Sequence, residues 1–210
     1  MLRESRVISD PAAAQNHRTP AVASADTPPS LVRTVPTVRL RIEQRFPATP
    51  AQVGAALIDP DYLVQAMGSL KDVGQPVVES QHRTGDSVRQ RVTYHFTGRL
   101  PGAVTAVIDP KRLTWTEDTA IDTMSHTARF VMTPVHYPNF FTATGTWFLR
   151  EDAKSTATKP VTLRLIEGEL KVRSPVPFVG GQVEKAIVSG LSERLADEPA
   201  AFARWFAAKR

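Results

Sequence analysis

Apolar and polar residues alternate over TVRLRIEQRF, where Val38, Leu40, Ile42 and Phe46 interleave with Arg39, Arg41, Glu43 and Arg45. A period of two predicts a half-buried strand with one face in water. The pattern breaks in ATPAQVGAALID. There Thr49 is suited to cap a helix, Pro50 to its first position, and Gln52 to closing a capping box, so a short helix is predicted. Asp59-Pro60 repeats the device, and DYLVQAMGSL is expected to form a second short helix leaving the first at an angle.

From Leu70 onward strand signals return. QPVVESQH and SVRQRVTYHFT flank Arg83-Thr84-Gly85-Asp86, a hairpin turn in which Gly85 takes positive φ at little cost. Val88, Gln90, Val92, Tyr94 and Phe96 share one face of the second arm; Arg89, Arg91, Thr93 and His95 share the other. RLTWTEDTA, SHTARFVMT, NFFTATGTWFLRE and PVTLRLIEGELKVR supply at least four more strands. LPGAVTAVIDPK suits either a short helix or an edge strand. After Gly180-Gly181 the period becomes helical, with Val183, Ile187, Leu191 and Leu195 on one stripe and Phe202, Trp205 and Phe206 continuing it. Pro199 predicts a kink or a restart near Asp197. Burying each of these side chains would contribute about 1.5–3 kcal/mol before entropy. Such a stripe needs a partner surface, and the sheet is the only candidate.

Composition adds limits. The 210 residues are 41% hydrophobic and 22% charged, enough for one domain with a real core. Cysteine is absent, which removes disulfides, thiol nucleophiles and thiolate metal sites and fits a reducing compartment. The net charge of +5 is spread along the chain, which speaks for solubility and against a nucleic-acid partner. No apolar run approaches the ~18 residues of a membrane span, and MLRESRVISD has no apolar core, so neither anchor nor signal peptide is read and a cytoplasmic location is expected. Residues 1–36 are Ala- and Pro-rich without apolar periodicity and are expected to be a disordered tail before a domain spanning 37–210. The outward arginines Arg39, Arg41, Arg45, Arg89 and Arg91 suit peripheral contact with an anionic membrane, although a solvated face is the simpler reading.

No HExxH, Gly-x-Ser-x-Gly, Walker loop or Gly-x-Gly-x-x-Gly occurs, and no cofactor or metal is expected. His82, His95, His126 and His136 fall on separate strands or loops and read as exposed. Glu117 shares a face with Leu113 and Trp115. The simpler reading puts it at the wet end of its strand beside an arginine; the alternative points it into a cavity with a raised pKa. Tyr94, Phe96, Trp115, Phe130, Met132, Phe141 and Trp147 are expected on the concave side of the sheet, where Ala128, Ala143 and Gly145 between them would leave an uneven wall for a flat apolar ligand.

The order of elements, a strand, two short helices, a run of antiparallel strands and a long terminal helix, resembles the α+β helix-grip fold of the START-like (SRPBCC) superfamily, which includes polyketide cyclases and plant pathogenesis-related ligand binders. FPATPAQVGAALIDPDYL, LTWTEDT and LKVRSPVPFVGGQVEKAIVSGL further resemble an uncharacterised actinobacterial family within it. The resemblance implies a curved sheet of six or seven strands around the C-terminal helix. In SPVPFVGGQVEKAIV, Pro175 and Pro177 hold the chain extended, while Gly180 and Gly181 permit the reversal that aims the helix across the sheet. Phe178 is then expected at the cavity mouth and Ile187 on the helix wall, completing the candidate ligand contacts with Glu117 and the concave-face residues. The function expected is non-catalytic binding or carriage of a lipid, isoprenoid or polyketide-like molecule. Two alternatives are a cyclase or aromatase in which Glu117 or Tyr94 supplies a proton, and an interaction module whose core is filled. A connected void of about 300 Å³ would speak against a filled core.

Overall fold

The computed structural model describes residues 37–100, 102–105, 108–138, 141–173 and 180–209. The expected tail and Phe178 lie outside the described residues. In chain order the elements are β1 (Thr37–Phe46), α1 (Pro50–Leu57), a helical segment made of a π turn (Tyr62–Ala66) and a 3-10 turn (Met67–Ser69), β2 (Val77–Thr84), β3 (Ser87–His95), α2 (Gly102–Thr105), a 3-10 turn (Pro110–Arg112), β4 (Thr114–Asp122), β5 (Thr127–Pro134), β6 (Phe141–Glu151), β7 (Thr162–Val172) and α3 (Gly180–Ala208). The strands form one antiparallel sheet in the order β1-β7-β6-β5-β4-β3-β2. This is the helix-grip arrangement: a curved sheet gripping a long terminal helix.

Local chemistry explains how the chain crosses from β1 at one edge to β2 at the other. Thr49 Oγ1 accepts from the Gln52 amide at 3.3 Å and Gln52 Oε1 accepts from the Thr49 amide at 3.0 Å, closing the predicted capping box on α1. The other end of α1 is finished by the sheet. Gln90 Nε2 donates to the Leu57 carbonyl at 3.3 Å and Gln81 Nε2 to the Ile58 carbonyl at 2.8 Å, satisfying acceptors that a helix end leaves open. Gly85 takes φ +57° in the β2–β3 hairpin, as expected. The ambiguous stretch after Leu100 contains the short helix α2, not an edge strand.

The strand faces follow the predicted alternation, so Val88, Val92 and Tyr94 of β3, Ile121 of β4, Ala128 of β5, Ala143, Trp147 and Leu149 of β6 and Ile166 and Leu170 of β7 are all buried. Phe202 is fully buried at one end of the sandwich. Its ring lies edge-on to Phe46 at 5.3 Å and to Tyr62 at 5.9 Å, and stacks on Phe206 at 5.2 Å. Outside, Arg39, Arg45 and Arg91 meet Glu169, Asp152 and Asp118 at 3.5, 3.0 and 2.7 Å. Arg41 likewise pairs with Glu167. Four of the five outward arginines, Arg39, Arg41, Arg45 and Arg91, are therefore paired with acidic neighbours.

One expectation about α3 is corrected and a second is narrowed. The helix begins on Gly180 itself and includes Gly181, so the glycines form its first turn and not a reversal ahead of it. It also runs without restart through Pro199. Pro199 has no N–H to give the Leu195 carbonyl four residues earlier, and Gln44 Nε2 of β1 donates to that carbonyl instead. A side chain from the sheet supplies the bond the proline removes, so the ladder has no orphan at which to break.

Candidate functional site

Sheet and α3 enclose two adjoining chambers. The outer one, about 380 Å³, is bounded by Phe96, Leu100, Ile108, Leu113, Trp115, Pro134, Phe141, Leu170 and Ile187, with Lys71, Arg99, His136 and Glu193 among its polar lining. The inner one, about 90 Å³, is bounded by Leu40, Ile42, Leu63, Tyr94, Glu117, Thr119, Phe130, Trp147 and Ile166, with Arg164 and Glu198. Met132, Ala143, Leu191 and Arg194 line both and so mark their junction.

The inner chamber rests on a buried polar cluster. Gln44 and Arg164 stand directly opposite each other on β1 and β7. Arg164 Nε donates to Gln44 Oε1 at 2.6 Å, and its guanidinium pairs with the Glu198 carboxylate of α3. Glu198 also accepts from Gln44 Nε2 at 3.1 Å and from the Tyr62 hydroxyl at 3.2 Å. Every charge in this cluster has an opposite partner and further hydrogen bonds, the condition under which buried ions are tolerated.

The second group stands opposite it. The Arg194 guanidinium lies over the Tyr94 ring, 4.4 Å from its centroid, and 6.0 Å from that of Trp115, and the two rings stack at 5.6 Å. Burial pushes the Tyr94 phenol well above its ordinary range, with the negative charge of Glu117 adding to the rise and Arg194 opposing it. Glu117 faces the inner chamber and gives an acceptor to the Thr119 hydroxyl at 3.1 Å, so the cavity-facing alternative holds and the wet-end reading does not. Burial raises its pKa; Arg194 and the Thr119 hydrogen bond work against the rise.

A raised carboxyl pKa has a definite sign in stability. The folded state holds the proton more tightly than the unfolded chain, so this contribution is present below the ordinary carboxylate range and is lost as pH rises through the raised value. Glu117→Gln should therefore melt higher than the wild type at pH 7, with the gap closing as pH falls below about 4.3, the free glutamate value. Melting curves across that range check it; a gap independent of pH would show that Glu117 does not titrate in this way.

Tyr94, Glu117, Phe130, Met132 and Trp147 line the inner chamber, and Phe96, Trp115, Met132, Phe141 and Ile187 the outer one. The expected unevenness at Gly145 is a seat instead of open space. A Cβ there would meet the Phe130 ring at 2.6 Å and the Glu167 carbonyl at 2.5 Å, so the glycine is where the ring lies on the sheet. Sequence reasoning missed Gln44, Arg164, Arg194 and Glu198. Their positions carried a signal: Gln44 has the parity of Ile42 and Phe46, and Arg194 and Glu198 fall on the helical stripe between Leu191 and Phe202. Among the described residues, no group of His, Asp and Glu is placed to hold a metal ion.

The fold is shared with solved structures. The protein TTHA0849 from Thermus thermophilus superposes with a TM-score of 0.53 at 20% identity, over 82% of this chain and 99% of that one. The Zhui aromatase/cyclase from Streptomyces sp. R1128 superposes with a TM-score of 0.55 at 11% identity, over 80% of this chain and 94% of that one. No curated protein matches the sequence. The family described as protein of unknown function, DUF2505, matches residues 41–206.

Proposed function

The chain belongs to the DUF2505 family, and from the geometry of its two chambers we propose that it binds or carries a small, largely apolar molecule between the sheet and α3. The observation that carries this reading is the outer chamber itself: about 380 Å³ walled by aromatic and aliphatic side chains, within the size range of ligand pockets. A core filled by its own side chains leaves no such space, which argues against the interaction-module alternative. The candidate contacts are the nine predicted residues that line the chambers, Tyr94, Phe96, Trp115, Glu117, Phe130, Met132, Phe141, Trp147 and Ile187.

A cyclase-type reading has less to draw on. Tyr94 holds its proton too tightly to supply it readily near neutral pH, and the Arg164–Glu198 pair is committed to itself. Among the described residues of the inner chamber, Glu117 is left as the group suited to moving a proton.

Nile red titration tests the binding reading. The wild-type chain should bind it saturably at a one-to-one ratio. Ala143→Trp should abolish binding while the protein stays folded, because Ala143 faces both chambers and the indole would enter the empty space. Failure of the folded wild type to bind Nile red, or any of a panel of fatty acids, isoprenoids and aromatic polyketides, would overturn it.

A further inference from the structure

Arg194 is 6% exposed, yet it lacks the carboxylate partner that Arg164 has, and its side-chain partner is the Tyr94 hydroxyl. Arg164 is neutralised by Glu198 and hydrogen-bonded to Gln44. Arg194 has no carboxylate in a salt bridge among the described residues: Glu117 feels its charge across the chamber without reaching it, and the guanidinium Nε is buried with no hydrogen-bond partner. A second donor is left over beside it. Trp115 Nε1–H, on a side chain lining the outer chamber, is likewise buried and unpartnered. Buried cations and buried N–H donors are normally matched, and here two unmatched ones flank the junction of the chambers.

We propose that the molecule held in this site is amphipathic, with a single carboxylate received by Arg194 at the junction of the chambers and an apolar body lying in the outer chamber. This rests on the binding reading above and adds the chemical class of the ligand. The planar guanidinium fork matches a carboxylate in geometry, and the rings of Tyr94 and Trp115 hold its plane in place. Charge count favours a singly charged head. Arg164 is spent on Glu198, so Arg194 is the one cation of the inner chamber not held in a salt bridge; Glu117 already offsets part of its charge from a distance, and a dianionic head would add to Glu117 and Glu198 with no second cation to balance it. The apolar body follows from Phe96, Leu113, Phe141 and Ile187 beyond the junction.

The test is a fluorescence titration of the full chain with cis-parinaric acid and with its methyl ester, which share a body and differ in the head. A charge-assisted bond to a desolvated guanidinium should make the acid bind about tenfold to a hundredfold tighter than the ester. Arg194→Met should remove that preference, so that the acid binds no tighter than the ester. Equal binding of acid and ester by the wild type overturns the carboxylate assignment while the cavity-binding reading stands; so does an acid preference that survives in Arg194→Met. Binding of neither probe, together with no Nile red binding, overturns the binding reading itself. Should Arg194→Met not fold, the wild-type ratio of acid to ester decides, supported by whether decanoic acid displaces Nile red at lower concentration than decan-1-ol.

Discussion

Glu198→Ala is expected to cost about 3–5 kcal/mol of stability, the range for breaking one side of a buried ion pair. Glu198 is 1% exposed and accepts from Arg164, Gln44 and Tyr62, which come from β7, β1 and the helical segment. Removing it strands the Arg164 charge in a dry interior and leaves two neutral donors short of an acceptor. The penalty measures that stranding, not the worth of the pair. Arg164→Met with Glu198→Leu removes both charges at similar volume and should recover more than half the loss. Urea denaturation checks both variants through the midpoint at constant slope. A single variant within about 1 kcal/mol of wild type, the scale of an exposed pair, would mean that the cluster is hydrated in solution.

The second large effect is expected at Gln44. Gln44→Leu should cost about 2–3 kcal/mol, because each buried polar group left unmatched carries a penalty of about 1–3 kcal/mol. The losses fall on Arg164 Nε, Glu198 and the Leu195 carbonyl. Only the last depends on the proline. In a Pro199→Ala background the helix supplies its own N–H to Leu195, so the cost of Gln44→Leu should shrink by about 1 kcal/mol. A double-mutant cycle reads this directly. Strict additivity would show that Gln44 does not substitute for the missing helix donor.

These two residues also show where the sequence is legible and where it is not. Seven strands, their inward faces and the Thr49–Gln52 capping box followed from period and local chemistry, because burial of one face and helix capping are decided within a few residues. Gln44 broke the apolar alternation of β1 and so dropped out of the pattern, although its parity placed it inside. Arg194 and Glu198 interrupted an apolar stripe and were passed over for the same reason. Their burial depends on partners that lie far apart in the chain, Arg164 and Gln44 for Glu198, Tyr94 and Trp115 for Arg194. Nothing local announces such a partner. Glu117 was undecided because strand parity does not separate a wet strand end beside an arginine from a place facing a cavity, and only the packing of α3 brings an arginine, Arg194, to the inner chamber with it. At Pro199 the restart is absent, and the carbonyl the proline leaves open is taken up by a distant side chain, Gln44.

Strand order carries a consequence for synthesis. β7 is hydrogen-bonded to β6 on one side and to β1 on the other, from Thr37 opposite Lys171 to Phe46 opposite Thr162. β1 therefore lacks its partner until β7 has emerged, more than a hundred residues later. Up to that moment β1 and β6 each carry a ladder still waiting for β7, a template for wrong pairing. The helix that roofs the chambers follows later still, and Glu198 on it must find Gln44 and Arg164 already side by side. The chambers are thus assembled only once α3 has emerged, by contacts of large sequence separation that folding reaches slowly. Chaperone demand in the cell should accordingly concentrate on the interval between the release of β6 and the docking of α3.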